Sequence, residues 1–215
     1  MYNAKSEFFD EFWLEFQNLW LALYGTRLAT VASIAGEAYA GGCIIALACD
    51  ARIIAASAKI GLNEAAFGLV APPWTAQMMV DTVGRRQGEK ALSLGTIFTA
   101  TEALRIGLVD RIVICGDESV EKKIGQVNKE AELEALVYTK APGRSSTKAL
   151  VRKANIAKLS SQDDRLHDTK LFKECVLHPD VQGMLGKYLE SLSSGTSSSS
   201  SRSSSSSSSN NKKNK

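Results

Sequence analysis

Two short apolar segments set the strongest constraint on how this chain folds. Residues 28–36 (LATVASIAG) and 51–57 (ARIIAAS) are rich in β-branched and small apolar residues, which predicts buried strands. The segment between them contains Gly41-Gly42 and then an apolar run that predicts a helix to about residue 50. A strand–helix–strand succession predicts helices packed against a mostly parallel sheet, with ligands bound near the carboxyl ends of the strands. The sequence therefore predicts an α/β fold.

Gly41 lies where the first predicted strand turns into the helix. Glycine has no Cβ, so its backbone amide can approach a ligand closely, and first-turn N–H groups have no acceptor within the helix. Such an amide can stabilise a developing oxyanion. Glu64, in IGLNEAAFG (60–68), is the carboxylate that would act with it, and the pair suits enolate chemistry on an acyl thioester. A tight turn at the glycines and a helix-entry role for Glu64 are the structural alternatives.

Landmarks of helices and strands continue along the chain. Aromatic and aliphatic residues recur at spacings of three and four from Phe9 to Tyr24, which predicts an amphipathic helix whose apolar face packs in the core. Pro72-Pro73 suits a first helical turn, Thr99 with Glu102 forms a capping-box pattern, and 107–114 (GLVDRIVI) predicts a strand.

Composition predicts one domain followed by a tail. A chain of 215 residues with 44% hydrophobic content can bury one sizeable core. We expect this domain to span residues 1–190, with a core of 1–115 and a helical part of 116–190. Residues 191–215 are nearly all Ser and end in NNKKNK, so this segment lacks the apolar residues that would offset the entropy of ordering it. We expect it to be disordered.

The charge pattern argues against nucleic acid as a partner. The net charge is +3, but four of the 26 basic residues lie in the tail, which leaves 22 basic residues against 23 acidic ones in the part expected to fold. No basic face is indicated. No apolar run approaches the roughly 20 residues needed to span a bilayer, so no membrane span is predicted.

Cysteine and histidine show no pattern typical of a metal site. Cys43, Cys49, Cys115 and Cys175 lack CxxC spacing and lie in apolar segments, which is typical of reduced, mostly buried thiols in an intracellular protein. His167 and His178 have no partner in sequence, and we expect surface or structural roles for them. We predict neither a metal nor a redox cofactor.

Four ordered blocks carry a resemblance to a known family. They are residues 19–36 (LWLALYGTRLATVASIAG), 40–55 (AGGCIIALACDARIIA), 60–74 (IGLNEAAFGLVAPPW) and 83–113 (VGRRQGEKALSLGTIFTATEALRIGLVDRIV). In these blocks the chain resembles the enoyl-CoA hydratase/isomerase (crotonase) superfamily and, within it, the mitochondrial Δ3,Δ2-enoyl-CoA isomerases. The resemblance implies a crotonase-like α/β fold, with a ββα-type superhelical core and C-terminal helices that pack over the core and against neighbouring subunits.

The same resemblance implies an activity and its residues. Isomerases of this kind shift the double bond of a 3-enoyl-CoA to give the 2-enoyl-CoA in fatty acid β-oxidation. The resemblance assigns the Gly41 N–H as one of two oxyanion donors and Glu64 as the base that shuttles the proton, with Asn63 as a weaker candidate for contacting substrate. Hydratases of the superfamily carry a second glutamate at the position of Ile44, so Ile44 favours isomerisation over hydration. CoA enters only as part of the acyl-CoA substrate.

The resemblance also implies that this chain lacks the N-terminal part of the crotonase core. Family members have a further N-terminal part of the core, with a segment like SAGLDL that supplies the other oxyanion donor; no such motif occurs in residues 1–28. We expect a homotrimer or a mixed oligomer in the mitochondrial matrix, with any targeting peptide outside this chain; the C-terminus is not a peroxisomal SKL. Another crotonase-type enzyme such as a hydratase, and an inactive crotonase-like subunit or gene fragment, are the alternatives.

Overall fold

The computed structural model of the chain describes residues 1–3, 5–116 and 119–199. Its strands are short and its helices account for most of the described residues. The strands are β1 (Val31–Ile34), β2 (Ala38–Tyr39), β3 (Ala51–Ala55), β4 (Lys59–Gly61), β5 (Phe98–Thr99) and β6 (Arg111–Val113). The helices are α1 (Ser6–Gly25), α2 (Gly41–Ala48), α3 (Pro73–Val83), α4 (Arg85–Leu94), α5 (Ala100–Arg105), α6 (Val120–Thr139), α7 (Arg144–Ile156), α8 (Gln162–Val176) and α9 (Pro179–Ser199), with 3₁₀ turns at Glu64–Phe67 and Ala157–Leu159.

The strands form two small sheets that confirm the predicted strand–helix–strand unit. The first sheet has the order β1-β3-β6, with both pairs parallel. Between β1 and β3 the chain passes through the short strand β2 and then helix α2. All five residues of β3 are buried, as expected for a central strand covered on both faces. The second sheet has the order β2-β4-β5, with β2 and β4 parallel. Periodicity does not predict β2, β4 or β5, because strands of two or three residues are too short to show a period.

Helix α1 packs its predicted apolar face against the C-terminal helices. Trp13 of α1 stacks on Phe172 of α8 with ring centroids 4.1 Å apart, and Trp20 lies 4.8 Å from Trp74 of α3 by the same measure. The face is narrower than its spacing predicts, since Phe12 is 41% exposed. The buried residues of α1, of the rest of the first 115 residues and of the C-terminal helices therefore form one hydrophobic cluster.

The two helix-start signals appear where the sequence predicts them, and two glycines with positive φ follow helices. Pro73 begins α3, and Thr99 with Glu102 forms a complete capping box at the start of α5. Gly95 closes α4 in the left-handed conformation, and Gly107 also has a positive φ of 75°. These motifs depend on residues within one turn of each other, so the sequence alone is enough to predict them.

A buried charge cluster fastens α7 to the C-terminal end of α2. Asp50 accepts the Thr30 N–H at 2.9 Å and lies 2.9 Å from Lys148 Nζ and 3.0 Å from Arg152 Nη2. Arg152 also donates to the carbonyl oxygens of Tyr24 and Ala48, each at 2.9 Å, which are at the C-terminal ends of α1 and α2. Cations at helix C-termini are stabilising, so α7 holds the ends of two helices and the start of β3 together.

Several predicted boundaries differ from the structure. The strand predicted across 107–114 is limited to β6, Arg111–Val113, because Gly107 has a positive φ that does not fit a strand. Within the part predicted to be helical, 116–190, the run 146–177 divides between α7, a 3₁₀ turn and α8, because Ser161 caps α8 through a capping box with Asp164. The tail predicted to begin at residue 191 instead continues helix α9 to Ser199, since each residue added to an existing helix gains one backbone hydrogen bond. The rest of the predicted tail, 200–215, lies outside the described residues. Among the described helices, none is long and apolar enough to span a membrane.

Candidate active site

Strand pairing brings the start of α2 beside the segment that contains Glu64. In the β2–β4 ladder Tyr39 pairs with Gly61, and the next residue, Ala40, donates its N–H to the Gly61 carbonyl at 3.0 Å. Helix α2 begins one residue after Ala40, and the 3₁₀ turn that begins at Glu64 follows three residues after Gly61. The two predicted site residues, Gly41 and Glu64, thus lie on adjacent chain segments.

The turn before α2 does not use its glycines in the way the sequence suggests. Ala40 has the positive φ, at 45° with ψ −112°, whereas Gly41 and Gly42 are not among the positive-φ residues. A Cβ on Gly41 would meet only the Phe16 ring at 3.9 Å, which is an ordinary contact. Gly41 is therefore not required by backbone conformation or by packing within this chain, and its missing side chain leaves the amide open to a ligand.

Glu64 is buried although it is a carboxylate. It begins the 3₁₀ turn between β4 and α3, and it is 7% exposed. Its Oε2 is buried and accepts no hydrogen bond from the described part of the chain. A buried carboxylate oxygen without a protein donor carries a desolvation cost and calls for an explanation in a native structure, and a catalytic role is one such explanation.

Burial raises the pKa of the Glu64 carboxyl above its usual range, and only the residue's own backbone N–H acts against this shift. Cys43, in the first turn of α2, is fully buried, and burial is the main cause that raises the pKa of its thiol, with the Glu64 charge adding to the shift. The Cys43 thiol therefore stays protonated and leaves Glu64 as the basic group of this region. A carboxylate with a raised pKa is a stronger base than an exposed one.

The apolar residues that precede and follow Glu64 in the sequence divide into buried and partly exposed ones. Leu62 and Trp74 are 2% and 1% exposed, while Ala65 and Phe67 are intermediate. Asn63 precedes Glu64 with intermediate exposure, its side chain makes no cap for the 3₁₀ turn, and its carbonyl accepts the Ala66 N–H at 3.1 Å. Nothing in this arrangement assigns Asn63 a ligand.

Ile44 lies on the core side of α2. It is 4% exposed and lines a small apolar gap together with Phe16 and Trp20 of α1. The side chain therefore supplies no polar group to a reacting molecule. Glu64 supplies one buried carboxylate, and the Gly41 N–H on the adjacent segment supplies a backbone donor. This arrangement is suited to moving a proton on an acidic carbon.

Two cavities lie at or near α2. A groove of about 440 Å³ runs along β1 and α2 and includes Gly42 in its lining. A larger cavity, about 590 Å³, lies at the Asp50 end of α2 and not at the Glu64 end. Within the residues that the structure covers, no group of three or more His, Cys, Asp or Glu side chains is placed to hold a metal ion.

Sequence reasoning missed one residue of this region, Ala40. Alanine carries no turn signal, so the only indication was its position before two glycines. His167 and His178, for which we expected surface or structural roles, lie on the C-terminal helical part; His178 Nδ1 is 3.7 Å from Asp180 and exposed.

Comparison with known proteins supports the relationship that the motifs indicated. Residues 1–195 match the enoyl-CoA hydratase/isomerase family. The mitochondrial enoyl-CoA delta isomerase 1 of mouse is 38% identical over 196 residues, covering 89% of this chain and 64% of the relative. A short-chain-enoyl-CoA hydratase of Clostridioides difficile is 35% identical over 117 residues, covering 54% of this chain and 74% of the relative.

A solved structure agrees with the fold. The crystal structure of human mitochondrial Δ3-Δ2-enoyl-CoA isomerase superimposes with a TM-score of 0.79 at 35% identity, covering 90% of this chain and 72% of that one. This agreement confirms the predicted crotonase-like fold for the described residues. The chain spans less than two thirds of the length of the mouse relative, at 64%. With a family match over nearly all of its folded residues and this structural likeness, the chain belongs to the enoyl-CoA hydratase/isomerase family.

Proposed function

We propose that this chain acts as a Δ3,Δ2-enoyl-CoA isomerase, moving the double bond of a 3-enoyl-CoA to give the 2-enoyl-CoA. The single observation that carries the proposal is the buried Glu64 carboxylate on the segment next to the first turn of α2; its Oε2 has no donor among the residues that the structure describes. The names of the mouse and human relatives, both enoyl-CoA isomerases, support this reaction.

The proposed mechanism uses Glu64 twice. The carboxylate takes a proton from C2, and the electron pair of that C–H bond forms a C1–C2 double bond while the thioester oxygen becomes negative. The Gly41 N–H donates to this oxygen and stabilises it; removing one such donor in other enzymes costs about 2.7–4 kcal/mol. The protonated Glu64 then returns the proton to C4, the C2–C3 double bond forms, and the thioester carbonyl is restored. CoA is the carrier of the substrate, and no other cofactor has a role.

Hydration of a 2-enoyl-CoA is the second candidate, and the similarity to a bacterial hydratase is the observation that favours it. The buried aliphatic Ile44 opposes it, because adding water across a double bond benefits from a second carboxylate to position the water. Ile44→Glu is a poor test of this point, since it would place a charge in the core beside α1. Direct assay of water addition by the unchanged chain separates the two reactions.

The test is turnover of a 3-enoyl-CoA by the purified chain, followed by the ultraviolet absorbance of the conjugated 2-enoyl product. We expect Glu64→Gln to lower kcat by about 10²- to 10⁴-fold, the usual range for a general base. Glu130→Gln is the matched control, since it makes the same change in an exposed pair with Arg111. No turnover by the folded unchanged chain would overturn the proposal for this chain and favour an inactive subunit or a fragment. Equal turnover by the Glu64 variant would remove Glu64 as the base.

We further propose a homotrimer located in the mitochondrial matrix, acting in fatty acid β-oxidation. The location is supported by the names of the relatives. Assembly is supported by apolar residues that face outward on the C-terminal helices, including Leu136, Val137, Leu150 and Val151, each more than half exposed. Light scattering coupled to size-exclusion chromatography measures the subunit number, and a monomer at micromolar concentration would contradict the trimer.

A further inference from the structure

Ala40 has a backbone conformation that alanine disfavours. Its φ of 45° and ψ of −112° are close to those of the first central residue in a type II′ turn, where glycine dominates. An L-residue with positive φ normally falls in the left-handed helical region, with ψ near +47°. Strained non-glycine residues of this kind persist only where the surroundings hold them, and they are concentrated at active sites.

Two hydrogen bonds hold Ala40 in this conformation. Its N–H donates to the Gly61 carbonyl at 3.0 Å, which joins it to β4, and its carbonyl accepts the Ile44 N–H at 2.9 Å, which joins it to the first turn of α2. The carbonyl of Ala40 and the N–H of Gly41 belong to one planar trans peptide and point in opposite directions. Because the carbonyl points into α2, the Gly41 N–H points out of its N-terminal end.

We propose that Ala40 is a positioning residue that sets how often the Gly41 N–H faces the substrate. This inference rests on the proposed isomerase function, in which that N–H stabilises the enolate. Relaxing Ala40 to the left-handed helical region would rotate the Ala40–Gly41 peptide, break the bond from Ile44 and turn the Gly41 N–H toward the helix. The strain at Ala40 therefore biases the turn against the competent orientation, and the two hydrogen bonds offset that bias.

The side chain at position 40 is predicted to shift this balance in opposite directions. Ala40→Gly removes the Cβ that makes ψ −112° unfavourable, so the competent orientation becomes more stable. Ala40→Val adds a β-branched side chain at positive φ, which is a stronger outlier than alanine, so the competent orientation becomes less stable. Gly107→Ala is the matched control, because it also puts an alanine at positive φ, 75°, with no heavy atom nearer than 4.0 Å and away from the site.

The experiment compares these three variants with the unchanged chain by two independent measurements. Hydrogen exchange of the Ile44 amide reports the Ile44–Ala40 bond without any ligand; we expect faster exchange in Ala40→Val and equal or slower exchange in Ala40→Gly. Kinetics with a 3-enoyl-CoA measure how well the Gly41 N–H stabilises the enolate. In Ala40→Val we expect kcat to fall about 10- to 100-fold while KM changes less than about threefold. In Ala40→Gly we expect no fall in kcat. Gly107→Ala lowers the melting temperature and leaves both the exchange and kcat unchanged.

The two proposals fail in different ways. If the unchanged chain shows no turnover but Ile44 exchange follows the expected order, the isomerase function is overturned and the role of Ala40 in setting the turn is supported. If the unchanged chain turns over and Ala40→Val leaves kcat and Ile44 exchange as they were, the positioning role is overturned. Should Ala40→Val not fold, Ala40→Gly decides, because a tenfold fall in its kcat or faster Ile44 exchange overturns the role.

Discussion

Replacing Asp50 by Asn tests the charge cluster that fastens α7 to the end of α2. The change keeps the size of the side chain and one oxygen acceptor but replaces the other oxygen by an amide nitrogen. Oδ2 of Asp50 accepts from the Thr30 N–H and from Lys148 Nζ, and Oδ1 faces Lys148 Nζ and Arg152 Nη2, so the amide nitrogen meets donors in either orientation. The substitution therefore leaves at least one buried donor without its acceptor.

The magnitude follows from the burial of the cluster. The side chains of Asp50, Lys148 and Arg152 are 7%, 6% and 12% exposed, so the solvated-pair range of about 0–1 kcal/mol does not apply. Removing one partner of a buried pair costs about 3–5 kcal/mol. Lys148 keeps the Leu28 carbonyl as an acceptor at 3.0 Å, and Arg152 keeps those of Tyr24 and Ala48. We therefore expect the lower end, about 3 kcal/mol, which corresponds to a fall in Tm of about 6–12 °C.

Urea unfolding followed by circular dichroism measures this free energy. Glu130→Gln, which makes the same acid-to-amide change in a pair with the half-exposed Arg111, is expected to cost less than about 1 kcal/mol. Combining Asp50→Asn with Lys148→Met removes the cation that has lost its partner. We expect the double variant to be at least about 1 kcal/mol more stable than additivity predicts.

A loss of under about 1 kcal/mol in Asp50→Asn, equal to that of the exposed control, would refute the reasoning. That result would mean that the cations are solvated and that α7 is held to α2 by apolar packing alone. Strict additivity in the double variant would likewise show that Lys148 does not depend on Asp50.

Three further predictions concern the site and its frame. Burial raises the pKa of the Glu64 carboxyl, so the folded state binds this proton more tightly than the unfolded state does. The free energy of unfolding therefore falls as pH rises from the ordinary pKa of 4.5 through the folded pKa. Urea unfolding over a pH series should find Glu64→Gln more stable than the unchanged chain at pH 7, and this gain should vanish below pH 4.5. Gly61→Ala would put a Cβ 2.3 Å from the Thr96 carbonyl oxygen, so β4 must shift. We expect the free energy of unfolding to fall by about 1–3 kcal/mol and the Ala40 amide, which donates to the Gly61 carbonyl, to exchange faster. An unchanged exchange rate of that amide would contradict this. Thr99→Ala removes the cap of α5 and should cost about 1 kcal/mol by thermal unfolding without changing turnover, so a large loss of activity would show coupling to the site.

Much of the local structure was predictable because its causes lie close together in sequence. The capping box of Thr99 and Glu102, the first-turn proline of α3 and the aromatic spacing of α1 each depend on residues within a few positions. The candidate pair Gly41 and Glu64 was also visible, because a strand, a glycine turn and an acidic segment follow one another within the motif blocks.

The division of the C-terminal helices was not predictable to the same degree. Ser160-Ser161 interrupts an otherwise continuous helical pattern, and only the capping box at Ser161 shows that α8 starts anew. The partners of the cluster around Asp50 come from α7, about a hundred residues away in the sequence. Sequence spacing does not predict such pairs, because they depend on how whole helices are placed.

The sequence by itself determined the α/β class and the strand–helix–strand unit, which follow from hydrophobic period. The candidate base, Glu64, was identified through the resemblance of its motif block to the family, because a carboxylate at a helix entry is otherwise common. Only the tertiary structure decided that Glu64 is buried with one oxygen that has no donor in the described part of the chain, that Ile44 faces the core and that Ala40, not a glycine, has the strained turn conformation. Burial and backbone strain arise from contacts between segments distant in sequence, such as the bond from Ala40 to Gly61, and those contacts exist only once the chain has folded.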